Sequence, residues 1–203
     1  MVVLEEAATV PRLRIAILPY QVPEPSLQSR FQEFRDALAD RIFNLSQTFS
    51  ARGAAFGYIN GLKVLNDGPA LASAAELGTF WDESHSLQLV RGQVDSGGPP
   101  TRVHSLVFLG NLAPRPDHAG LQLEMTIAPD AFSSNQDSFS LVMLYSLARD
   151  AQRRRMPNDV VAAFLSEAFA VGQQLRNPGQ ELLIIKTAVD DMLQQLRAAG
   201  ATP

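Results

Sequence analysis

The sequence predicts an α/β (α+β) protein: a mixed sheet of about four or five strands covered by helices, followed by a three-helix C-terminal segment. Three observations carry that expectation. Every run of strand character lies before Pro129, and every periodic stretch after it has the three-and-four spacing of a helix. Two strand-like runs, 87–94 and 103–109, flank Ser96-Gly97-Gly98-Pro99-Pro100, where glycine is free in φ and proline lacks an N–H, so the ladder stops in a hairpin loop. The 203 residues, 46% apolar and 19% charged, suffice for one domain with a helical appendage. The expected division is a loose arm over 1–11, an α/β domain over 12–129, and a helical segment over 130–203 that packs on that domain or on a partner.

In chain order, residues 13–18 are a short β-branched run closed by Pro19, a buried first strand. Two prolines in 21–25 lead to Ser26 as an N-cap, after which Phe31, Phe34, Leu38, Ile42 and Leu45 recur at three and four. The resulting amphipathic helix runs to Phe49 and turns Arg30, Glu33, Arg35, Asp36 and Asp40 outward. Residues 53–64 read as a short strand interrupted by Gly57 and Gly61. Asp67-Gly68-Pro69 is a turn, and 70–81 a short helix with Leu71, Ala74, Ala75 and Leu77 inside. The 87–94 run mixes polar and apolar residues on both faces, as in a strand covered on both sides, and 103–109 is nearly continuously apolar. Leu121, Leu123, Met125 and Ile127 alternate with polar residues, which fits an edge strand with one wet face.

The helical half divides at its prolines. Residues 138–154 carry Leu141, Leu144, Tyr145 and Ala148 on one face, and 157–175 carry Val160, Val161, Phe164, Leu165, Ala168 and Phe169. Pro178 opens a third helix with Leu182, Ile185, Val189, Met192 and Leu196 as its stripe, ending at Gly200. Short turns make the three antiparallel neighbours, and no second copy recurs at a fixed period.

Composition removes several function classes. A net charge of -4 without clustered cations gives no footprint for nucleic acid. Of the 17 basic residues only Lys63 and Lys186 are lysines, a bias read as genome composition. The absence of cysteine excludes disulfides, thiolate metal sites and a cysteine nucleophile. Glu5 and Glu6 stand where a secretory signal carries cations, and no run of about 18 apolar residues could span a bilayer. The expected location is cytoplasmic for the chain as it stands, and periplasmic if a leader has been removed.

The order of first strand, long helix, weak strand and short helix ending Glu76-Leu77-Gly78, then a strand and its hairpin partner, resembles the α/β domain family of the TolB amino terminus and its FlgO-like and CsgG-like relatives. The residues that carry the resemblance are RIAILPY at 14–20 and LQLVRGQV at 87–94, within a span of about 12–112. Residues 81–86 make a longer connection than the family pattern has. The resemblance implies a binding or assembly domain of envelope machinery or signalling proteins, in some relatives followed by helical repeats. It supplies no catalytic residue.

Trp81-Asp82-Glu83-Ser84-His85 gathers a carboxylate pair, a hydroxyl, an imidazole and the single tryptophan. A hydrolase would use His85 as base, oriented by Asp82 or Glu83, with a serine such as Ser84 as nucleophile. A polar helix-to-strand loop explains the same residues more simply, because neighbours in sequence point in different directions. His85, His104 and His118 lack the spacing of a recognisable ligand set, so no metal is expected. Arg153-Arg154-Arg155 could hold an anion, although cations are favoured at a helix C-terminus without any ligand. Gly57-Tyr58-Ile59-Asn60-Gly61 lacks the Lys-Ser/Thr ending of a phosphate loop, and Asn44-Leu45-Ser46 is a sequon inside a helix.

The leading expectation is therefore a non-enzymatic binding module without cofactor, engaging a protein partner or a second copy of itself through the C-terminal helices. The alternatives are a small hydrolase or ligand-sensing domain using residues 81–86, and a sensor of small metabolites at the strand ends.

Overall fold

The structure, a computed structural model, describes residues 14–65, 74–84, 87–95, 102–109, 121–126 and 132–200. Strands β1 (Arg14–Ile17), β2 (Lys63–Leu65), β3 (Gln88–Asp95), β4 (Arg102–Leu109) and β5 (Leu121–Thr126) form one mixed sheet in the order β2-β1-β3-β4-β5. β1 lies parallel to both β2 and β3, and such pairs need crossovers, supplied by helices α1 (Pro25–Ser50) and α2 (Ala74–Ser84). β3 pairs antiparallel with β4 from Gln88↔Leu109 to Asp95↔Arg102, and β4 antiparallel with β5, which places β5 at an edge. The hairpin loop at 96–101 and the arm at 1–13 lie outside the described residues.

Strand alternation divides the core into two unequal parts. Ile15 and Ile17 of β1, Val90 and Val94 of β3, and Val103 and Val107 of β4 point to one face and join the main apolar cluster with α1. Ala16, Leu18 and Leu89 point to the other, where Leu77 of α2 covers them. The polar residues of β3 also alternate: Gln88 is buried on the α1 side, while Arg91 is half-buried and Gln93 exposed on the α2 side.

Three C-terminal helices follow: α3 (Phe132–Arg153), α4 (Asn158–Gln174) and α5 (Gln180–Ala198). They share the main core with α1. Phe139 of α3 meets Phe34 at 5.8 Å between ring centroids, and Phe164 of α4 meets Phe49 at 4.5 Å. Arg41 adds polar contacts from α1, its Nε donating to Ser140 Oγ at 2.7 Å while its Nη2 pairs with the Asp137 carboxylate. Lys186 Nζ donates to the Gly172 carbonyl near the end of α4, where a cation satisfies a carbonyl that the helix leaves open.

Several local expectations need correction. The 53–64 stretch is a 3-10 helix (Ala54–Gly61) ahead of the short β2; Phe56 and Ile59 are buried together because three residues make one turn of that helix. Glu24, not Ser26, is the N-cap of α1, since Pro25 has no N–H to lose at the first helical position. Arg35 is buried rather than outward. The inner stripe of α3 becomes a whole buried cylinder, every residue from Phe139 to Ala148 being buried, because α1, α4 and α5 surround it. Phe169 falls on the outer side of α4 and is 41% exposed.

Candidate functional site

Asp82, Glu83 and Ser84 form the last residues of α2 rather than a loop. Consecutive helical positions are turned about 100° from one another, and Glu83 is exposed. His85 and the side chains of Trp81, Asp82 and Ser84 lie outside the described residues, as does His118. His104 sits half-buried in β4, between Gln93 and Glu124 by register. Among the described residues no three His, Cys, Asp or Glu side chains are grouped to hold a metal, and no helix is long and apolar enough to cross a membrane.

The other sequence candidates have structural roles. Gly57 to Gly61 belongs to the 3-10 helix. The sequon lies in α1 with Ser46 buried and its Oγ donating to the Phe43 carbonyl. The arginine triplet ends α3: Arg154 Nε donates to Asp150 Oδ2 at 2.7 Å, and Arg155 takes φ 56°. Arg155 N–H donates to the Gln152 carbonyl and Met156 N–H to the Ala151 carbonyl, the paired bonds of a Schellman helix stop.

The geometry gathers polar groups elsewhere, at the C-terminal end of β1. There β1 and β3 lie side by side and parallel, while their connections lead to opposite sides, to β2 and to β4. Open α/β sheets bind ligands at such a point. A cleft of about 380 Å³ opens there, between the β1–α1 connection and the first turns of α1. Its floor is Tyr20, Phe31 and Arg35, 7%, 3% and 6% exposed; Pro19 and Val22 form a wall, and Gln28, Ser29 and Gln32 the rim.

Local folding fixes each part of the floor. Beyond Ile17 the chain stays alongside β3, with Leu18 N–H donating to the Val90 carbonyl and Gln21 N–H to the Gly92 carbonyl. That places the Tyr20 ring over Gly92, against Phe31 at 5.5 Å and edge-on to Phe34 at 6.0 Å, with its hydroxyl sharing a 2.8 Å hydrogen bond with Ser105 Oγ. Arg35 reaches from α1 to the sheet: Nη2 donates to the Ile17 carbonyl and Nη1 to Gln32 Oε1, both at 3.0 Å. Gln32 in turn donates to Asp36 Oδ1 at 2.9 Å. Sequence reading missed Arg35 because its helical position resembles its charged neighbours; only the aromatic Tyr20 after Pro19 hinted at a filled strand end.

Burial pushes the Tyr20 hydroxyl well above the ordinary tyrosine value, and the Ser105 hydrogen bond and the Arg35 charge offset this only in part. With the folded value above the unfolded one, the stability linked to Tyr20 is fully present below about pH 10 and is lost as pH rises beyond it. Tyr20→Phe is expected to cost about 1 kcal/mol at neutral pH through the lost hydrogen bond. The difference from the parent should shrink above about pH 10, measured by urea unfolding across that range; a constant difference would contradict the assignment.

A scan of the chain against protein-family models finds no match, and a search of curated proteins finds none.

Proposed function

We propose that the chain is a non-enzymatic binding and assembly module whose C-terminal helices dock a protein partner, in the envelope or signalling setting that the TolB-like resemblance implies. The observation that carries this reading is the apolar surface at the start of α5, where the adjacent Leu183 and Ile184 are 49% and 60% exposed. Single exposed aliphatic residues are ordinary on protein surfaces. Two branched ones side by side, on a helix whose opposite stripe already serves the core, leave an anchor available to another chain.

Two half-exposed side chains fall far short of the roughly 800 Å² per partner typical of a stable complex. The occupant is therefore a transient partner presenting a short apolar segment, and the chain alone should be monomeric. A photocrosslinking residue at Thr187, exposed one turn beyond Leu183, is expected to give one dominant protein adduct in the source cells. Leu183→Glu combined with Ile184→Glu should abolish that adduct with Tm unchanged. No adduct, an adduct indifferent to the substitutions, or an adduct only with a second copy of this chain would refute the reading.

A further inference from the structure

We propose that the cleft at the end of β1 is a binding site for a small carboxylate with a flat apolar body, taken up by exchange for the Gln32 side chain on Arg35. A guanidinium at the floor of an open cleft, itself shielded from water, favours a planar oxyanion, which it meets through parallel N–H donors. Arg35 is 6% exposed and anchored to the Ile17 carbonyl, so it is held in place before any ligand arrives. Its Nη1 donates to the amide oxygen of Gln32, a neutral acceptor on an exposed side chain.

A carboxylate on Nη1 would replace that neutral bond by a charge-assisted one, roughly twice as strong. Gln32 can turn to solvent because its main chain is fixed in α1 and the residue is exposed at the rim of the cleft. Tyr20 and Phe31, packed ring against ring, offer an apolar floor, and Val22 an apolar wall. The volume of about 380 Å³ lies at the small end of ligand pockets, which suits a single-ring or short-chain acid. Gln32 thus acts as an internal occupant that a ligand must displace.

Benzoate serves as the probe, with benzamide as its neutral counterpart, followed by NMR shifts of the Arg35 Nε–H and the Gln32 side-chain amide in the full chain. Saturable shifts are expected with Kd on the order of 1 mM, and benzamide should bind at least about tenfold more weakly because it lacks the charge. Gln32→Ala should tighten benzoate roughly fivefold by removing the competing hydrogen bond. Arg35→Met should abolish saturation. No saturable shift, equal affinity for benzamide, or unchanged affinity in Gln32→Ala overturns the proposal. If Arg35→Met does not fold, the Gln32→Ala result decides alone.

Discussion

Replacing Phe164 with alanine is expected to lower the unfolding free energy by about 3–5 kcal/mol. The ring is 0% exposed and sits where three elements meet. Its centroid lies 4.5 Å from Phe49 at the end of α1 and 5.8 Å, edge-on, from Phe56 of the 3-10 helix. Truncation removes the transfer free energy of the ring and leaves a cavity that Phe49 cannot fill, because the Arg52 guanidinium packs over its ring at 4.5 Å. Against a typical total of about 5–15 kcal/mol, that loss is large. Trp81, the single tryptophan, is carried by α2 on the far side of the sheet, whereas far-UV circular dichroism reports mostly the long helices. If α4 belongs to one cooperative unit with the sheet, both probes should show the same lowered urea midpoint. A shift in dichroism alone would mean that the helices unfold separately, and a loss below about 1.5 kcal/mol would mean that the site collapses around the missing ring.

The parts of this architecture that could be read in the sequence are those in which one residue's surroundings follow from its own neighbours. Leu38 and Ile42 announce the inner face of α1 by spacing, and the pairing of β3 with β4 follows from two strand-like runs joined by glycine and proline. What could not be read depends on other elements. Phe56 and Ile59 look like strand residues until α1 and α4 supply partners that favour a 3-10 turn. The outer residues of α3, Phe139, Val142 and Met143, become core only because α1, α4 and α5 surround that helix. Arg35 has the pattern of a solvated charge, and the Ile17 carbonyl that draws it inward lies 18 residues earlier. A site at the strand ends is among the sequence alternatives, but its residues could not be read for the same reason, since the floor joins a strand end to the second and third turns of a helix.

Gly92→Val is expected to cost at least about 3 kcal/mol, the upper part of the range for overpacking a core. A Cβ at Gly92 would lie 2.5 Å from Tyr20 Cδ1, closer still to Cε1, and 2.8 Å from the His104 carbonyl oxygen. The tyrosine contact could be relieved only by moving a ring wedged against Phe31 and Phe34, which would break its bond to Ser105 and tilt the floor of the cleft. The carbonyl contact belongs to the β3–β4 ladder and has no rotamer through which to escape. Adding Tyr20→Ala to Gly92→Val should therefore fail to restore stability. Gly78→Ala supplies a control of opposite sign: its Cβ meets nothing within 4 Å in the middle of α2, and alanine there should gain up to about 1 kcal/mol from helix propensity. Equal behaviour of the two glycine variants in urea unfolding would show that the close approach of Tyr20 to β3 does not hold the strand end. The same variant chain also tests the cleft, because displacing the Tyr20 ring removes one of the two rings of its apolar floor while leaving Phe31, Arg35 and Gln32 on α1.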